Sequence, residues 1–197
     1  MDTGELRDDH ILTMVESFQQ ANGLKVDGYC GPKTLAAIER QWPYEESNDL
    51  GLTALAVAVE CLGEGEVGGN NSGPFVEMLL GKEYDGDDDD DGAWCAAFVS
   101  HCFKEAAKLC KVELSFKTSF GAKRLFRNVA KAGQLVDIPV PGDIVCWDRG
   151  TPGSWQGHIG IVEKYEDGIL HTIEGNTGRY PSKVRRLTHD LSKDKRL

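Results

Sequence analysis

The sequence has no apolar run approaching the roughly 18 residues of a membrane-spanning helix. Its longest, near 52–62, contains Glu60, so no membrane span is expected. Cysteines at C-x-x-C spacing are also missing. Cys30, Cys61, Cys95, Cys102, Cys110 and Cys146 stand far apart, which argues against zinc ribbons and thioredoxin-type motifs. The start, MDTGELRDDH, is polar and acidic rather than basic and then apolar, so no secretory signal is read there. Synthesis and initial retention in the cytoplasm are expected, where structural disulfides are not, and five of the six cysteines read as small buried hydrophobes. Positive charge is scarce as well: 22 Lys and Arg face 32 Asp and Glu, a net charge of −10. That balance argues against nucleic-acid binding. The six basic residues of 183–196 are mixed with Asp190 and Asp194 and read as a solvated surface.

What is present is a chain of 197 residues, 40% hydrophobic and 27% charged, a soluble globular composition long enough for one full core and a small appended module. Residues 1–42 read as a helical module, in which Ile11, Leu12, Met14, Val15 and Phe18 recur at helical spacing before ANGLKVDGYCGP breaks the pattern. A second helix is predicted over 32–41, with Pro32 suited to its first turn. Residues 43–53 read as a linker, and 54–197 as the main domain. There the periodicity predicts helices at 53–62, 74–80, 94–110 and 119–132. After PGD at 141–143 the period changes to two, predicting strands at 143–148, 158–165, 169–174 and 183–187. Helices followed by an antiparallel sheet make an α+β domain.

Cys95 opens the strongest predicted helix, where the positive end of the helix dipole favours a thiolate. By spacing alone it reads equally well as a core cysteine. In HIGIVEKY and ILHTIEGNT the alternation of strand side chains puts His158 and Gly160 on one face of the first strand, and Glu174 and Asn176 on one face of the second. A three-residue EDG loop would pair Tyr165 with Ile169, placing His158 across from Asn176 and Gly160 across from Glu174; a slip of one residue would separate these groups. An imidazole held by a carboxylate and an amide can take a proton from a thiol and return it to a leaving amine. Without such partners a hairpin histidine is a surface residue, and His10, His101, His171 and His189 are read that way.

Four strings occur in order: WCAAFVS, PGDIVCW, HIGIV and IEGNT. Over about 54–177 the chain thereby resembles the cysteine, histidine-dependent amidohydrolase/peptidase (CHAP) family of papain-like cell-wall hydrolases, and GEGEVGGNNSG resembles a loop of one branch. The resemblance implies a papain-like fold with Cys95 as nucleophile, His158 as general base, Glu174 as orienter of His158 and Asn176 in support. The backbone N–H groups at the helix start, that of Cys95 included, are read as oxyanion donors. Separately, VESFQQANGLKVDGYCGPKTLAAIE resembles about the second half of a peptidoglycan-binding module, at its FQ, GL, DG, GP and T-x-x-A positions; the plainer reading is a helical adaptor.

Trp94, Trp147 and Trp155 are read as substrate-binding, and Tyr180 as a further candidate, since aromatic rings at a cleft stack on sugar or peptide, although core or turn packing is the more frequent role of such rings. Asp87, Asp89 and Asp91 in YDGDDDDDG have D-x-D-x-DG spacing that could wrap calcium, although the downstream glutamate of an EF-hand is absent. No cofactor is required by the chemistry. The function implied is peptidoglycan hydrolysis, at an amide of the stem peptide or of its attachment to sugar, by a monomer. Delivery would be as an endolysin released by a holin, or as an effector carried by a secretion apparatus. The alternatives are an acyltransferase or transamidase on the same fold and a non-catalytic wall-binding or phage structural protein.

Overall fold

The computed structural model describes residues 8–31, 33–34, 37, 49–81, 93–132, 135–151 and 153–193, and the chain divides between Ser47 and Asn48 into two compact units. In the first, helix α1 (Asp8–Ala21) ends where Gly23 turns left-handed at φ 64° and the Leu24 N–H closes back on the Gln19 carbonyl at 2.9 Å. Lys33, Thr34 and Ala37, the described part of the second predicted helix, are helical.

Gln19 organises this unit. Its side chain is 1% exposed. Its Oε1 accepts the N–H groups of Asp27 and Gly28 at 3.0 and 2.9 Å, and its Nε2 reaches Asp27 Oδ1, the Tyr29 carbonyl and Thr34 Oγ1 at 2.9, 3.0 and 3.1 Å. The FQ, DG and T-x-x-A positions are thus one hydrogen-bonded set around a buried amide, each group satisfied by another.

The second unit begins with α2 (Leu50–Glu60), α3 (Pro74–Leu80) and α4 (Cys95–Cys110). Helix α2 starts earlier than the apolar pattern indicates, because Asp49 caps it: its carboxylate accepts the Leu52 N–H at 3.0 Å. Helix α5 (Ala122–Lys131) follows, then strands β1 (Ile144–Asp148), β2 (Gly157–Glu166), β3 (Ile169–Thr177) and β4 (Lys183–Asp190). The sheet is an antiparallel meander in the order β1-β2-β3-β4. Helices packed on an antiparallel sheet confirm the α+β class.

Strand alternation gives the sheet two unlike faces. Ile159, Ile161, Ile173 and Val184 belong to the main core with Phe98, Val99, Cys102 and Ala106 of α4 and Ala54 and Ala58 of α2. On the other face Val145, Trp147, Val162 and Leu170 form a smaller cluster. The start of α4 meets β3 at Gly175, where a Cβ would stand 2.8 Å from Phe98 Cβ and 2.9 Å from the Trp94 ring. Any larger residue would push the helix start off the sheet.

The β2–β3 hairpin departs from the predicted loop. Glu166 pairs with Ile169, leaving the two-residue turn Asp167–Gly168 with φ 50° and 79°, the left-handed pair that matches strand twist. The register then shifts between Val162 and Lys164, after which Val162 faces Thr172 and Ile161 faces Ile173. The extra residue, Glu163, is a β-bulge. Turn and bulge offset each other, so beyond Glu163 the strands run in the predicted register. Gly160 lies over Glu174, where a Cβ would be 2.6 Å from the Glu174 Cγ.

Candidate active site

Cys95 is the first residue of α4 and 4% exposed. The preceding residue, Trp94, occupies the N-cap position with φ −93° and ψ 13°, and no side chain caps the helix. The N–H groups of an α-helix's first turn have no intrahelical acceptor, so this end carries concentrated positive potential beside the thiol. The other cysteines offer no comparable setting. Cys30 is exposed, Cys61, Cys110 and Cys146 are half-buried, and Cys102 is buried, so the expectation of five buried cysteines holds fully for Cys102. Burial pushes the Cys102 thiol far up and that of Cys146 up to about 11, which keeps both protonated near neutrality.

His158 sits near the start of β2, paired with Trp147 across β1, and is 3% exposed. Its Nε2 lies 2.7 Å from Glu174 Oε2. Glu174 is fully buried, and its Oε1 lies 2.5 Å from Thr172 Oγ1 and 2.7 Å from Nε2 of His189 on β4. Burial raises the Glu174 pKa, but hydrogen bonding and charge at His158, with the bonds from Thr172 and His189, outweigh it and leave the pKa below the ordinary glutamate value. An ionised carboxylate only accepts hydrogen bonds. Both imidazoles therefore donate from Nε2, and the lone pair of neutral His158 is on Nδ1.

Among the described residues, two buried side-chain polar atoms have no hydrogen-bond partner, His158 Nδ1 and Trp147 Nε1. Both are in this cluster. Native proteins rarely leave such atoms unsatisfied, and catalytic sites are where the exceptions gather.

The remaining predicted residues fare differently. Asn176 lies where the β3–β4 register breaks, with φ 57°, and its side chain makes no hydrogen bond to His158. Trp94 is fully buried, its indole N–H directed at Glu66 Oε1 at 3.4 Å, so it is a packing residue and not an exposed stacking surface. Trp147 is 3% exposed, its ring centroid 4.6 Å from that of His189 and 6.0 Å from that of His158. It walls the two imidazoles and exposes almost no ring surface to solvent. Trp155, 51% exposed, remains available for stacking. Asp87, Asp89 and Asp91 lie outside the described residues.

Two residues escape the sequence reading. His189 was placed outside the sheet, but β4 continues to Asp190 because Leu170 pairs with His189 and Ile169 with Asp190. Glu66, 3% exposed, accepts the N–H groups of Ser182 and Asn71 at 2.6 and 2.9 Å as well as the Trp94 indole. Burial raises its pKa, and these bonds more than reverse that. It ties the 63–72 loop to the residue before Cys95. A cleft of about 810 Å³ beside α4, lined in part by His101, Lys104, Lys117 and Arg124, does not include Cys95 or His158.

Residues 87–176 match the family model of the CHAP domain, and residues 8–38 that of the Putative peptidoglycan binding domain. No curated protein and no solved structure matches the chain. The first match spans Cys95, His158 and Glu174 and ends before β4; the second spans the Gln19 hydrogen-bond set. The chain carries a CHAP domain, and hence the framework of a cysteine, histidine-dependent hydrolase, behind a peptidoglycan-binding module, a combination that suggests a cell-wall amidase or peptidase.

Proposed function

We propose that this protein hydrolyses an amide bond of peptidoglycan, in the stem peptide or at its attachment to sugar, with Cys95 as nucleophile, His158 as general base and Glu174 as its orienter. The observation that carries this reading is the buried His158–Glu174 pair at 2.7 Å, with the opposite ring nitrogen, Nδ1, buried and without a partner. A neutral imidazole fixed through Nε2–H presents its basic lone pair from Nδ1, and the helix-start thiol supplies the proton to be taken.

In the first half-reaction the Cys95 proton moves to His158 Nδ1 and the thiolate sulfur adds to the amide carbonyl. First-turn N–H groups of α4 stabilise the oxyanion. The carbon–nitrogen bond breaks as imidazolium protonates the departing amine, leaving a thioester. In the second, water gives a proton to His158 and its oxygen displaces the sulfur, freeing the acid, and the imidazolium returns the proton to the Cys95 thiolate. Glu174, ionised and held in place, stabilises the imidazolium in both halves without taking its proton. Trp155 stacks on substrate near the strand that bears His158.

Mass spectrometry of fragments from purified peptidoglycan tests the reading. Wild-type protein should create new amine and carboxylate ends, and Cys95→Ala and His158→Ala should lower the rate by on the order of 10⁴-fold or more with unchanged circular dichroism. Wall clearing by Cys95→Ala equal to wild type, or release of new reducing sugar ends in place of amines, would overturn it.

A further inference from the structure

We propose that His189 is a positioning residue for the catalytic pair, holding the Glu174 carboxylate so that His158 keeps its proton on Nε2 and its lone pair on Nδ1. The proposal rests on the reading of His158 as the base.

The geometry divides the carboxylate between two histidines. Oε2 receives His158, while Oε1 receives His189 at 2.7 Å and the Thr172 hydroxyl at 2.5 Å. Glu174 is fully buried, so its donors are protein groups and not solvent. Burial by itself favours the protonated acid, and the donors around Glu174 reverse that. Removing His189 leaves Oε1 held by the Thr172 hydroxyl alone, so the carboxylate is free to turn and Oε2 no longer fixes the Nε2–H form of His158. The single imidazole proton is then shared between the two ring nitrogens. The lone pair facing the thiol from Nδ1 is no longer secured. His189 therefore acts through Glu174 and touches neither thiol nor substrate in this scheme. Trp147 packs over both rings, 4.6 Å from His189 and 6.0 Å from His158 between centroids, and restricts each imidazole to its side of the carboxylate.

The fold supports this second donor through strand length. His189 reaches Glu174 because β4 runs to Asp190, with His189 opposite Leu170. Along β3, Leu170, Thr172 and Glu174 share a face, so Glu174 folds back past Thr172 toward the end of β4. Strand β4 lies beyond the span of the CHAP match.

The test uses the full chain with His189 changed to Gln, Asn or Phe. Gln places an amide donor at about the reach of imidazole Nε2; Asn places it short, and Phe has none. The first readout needs no turnover: ¹⁵N-histidine spectra in a Cys95→Ala background at neutral pH. His158 should show the Nε2–H tautomer with His189 or Gln, and shift toward Nδ1–H with Asn or Phe. The second, with Cys95 intact, is hydrolysis of soluble wall fragments. Asn and Phe should lower kcat by about 10- to 100-fold with KM within roughly twofold, and Gln should restore most of it. An unchanged His158 tautomer in the Asn variant, or equal losses with Gln and Asn, would overturn the proposal. If the Phe variant does not fold, the Gln and Asn pair still decides. Should wild type and Cys95→Ala prove equally active on walls, the hydrolase reading fails, while the tautomer measurement still reports whether His189 positions the pair.

Discussion

Gln19 in the first unit and Glu174 in the second are both fully buried polar hubs, yet they do different work. Around Gln19 the donors and acceptors answer one another, and the amide closes a loop that a short chain could not hold with apolar contacts alone. Around Glu174 the carboxylate is satisfied, but the cluster leaves His158 Nδ1 and Trp147 Nε1 without partners. Glu66 separates the two possible causes, charge and incompleteness. It is also a buried carboxylate with a lowered pKa, and its hydrogen bonds go to backbone N–H groups and a packing indole. A buried charge in this fold is therefore not in itself a sign of chemistry; a buried base with an open lone pair is.

That contrast breaks most readily at Glu174. Glu174→Gln should lower kcat by on the order of 10³–10⁴-fold, because an amide cannot accept from both imidazoles and stabilise the charged one; steady-state rates on soluble wall fragments measure this. Glu66→Gln should cost about 1–3 kcal/mol of stability, read as a lower denaturation midpoint, with kcat changed less than tenfold at a temperature where it stays folded. Acid unfolding sharpens the same comparison. Folding lowers the pKa of both carboxylates, so each contributes stability above its unfolded value, and that stability is lost as pH falls through the folded value. Both glutamine variants should show a shallower fall in melting temperature from neutral to acid pH than wild type. An equally steep fall in both would show that neither carboxylate governs acid stability.

The smallest effect on chemistry is expected at the other hub. Gln19→Ala strands the Asp27 and Gly28 N–H groups, costing the first unit about 2–3 kcal/mol. Hydrogen exchange across α1 should accelerate and binding to insoluble walls fall, while turnover of soluble fragments stays within roughly twofold. A tenfold loss of that turnover would place Gln19 in the catalytic arrangement and remove the distinction between the hubs.

The hairpin shows both how much of the site was legible and how that legibility can mislead. The alternation of HIGIV and IEGNT predicted His158 and Glu174 on one face, and they meet at 2.7 Å. The reasoning ran through a three-residue loop, whereas the chain makes a two-residue turn and a bulge at Glu163. Apolar burial on the helix-facing side sets the register, and one inserted residue satisfies both burial and turn. The tryptophans were less legible. Their enrichment at cleft rims says nothing of which way a particular ring points, and Trp94 and Trp147 point inward.

By itself the sequence determined what local chemistry determines: helix and strand periods, a thiol at a helix start, and a histidine and a glutamate on alternating positions; the resemblance of the first unit marked its Gln, Asp-Gly and Thr positions without showing that they bond to one another. Only the tertiary structure decided the rest. A carboxylate has two oxygens, and which donors they meet depends on strands distant in the chain. His189 lies near the end of the described chain and reaches Glu174 because β4 keeps pairing to Asp190. Glu66 finds its donors at Ser182 and Trp94, far away in sequence. No periodicity encodes such meetings, since they are set by strand length, sheet order and the exclusion of water from groups that must then satisfy each other.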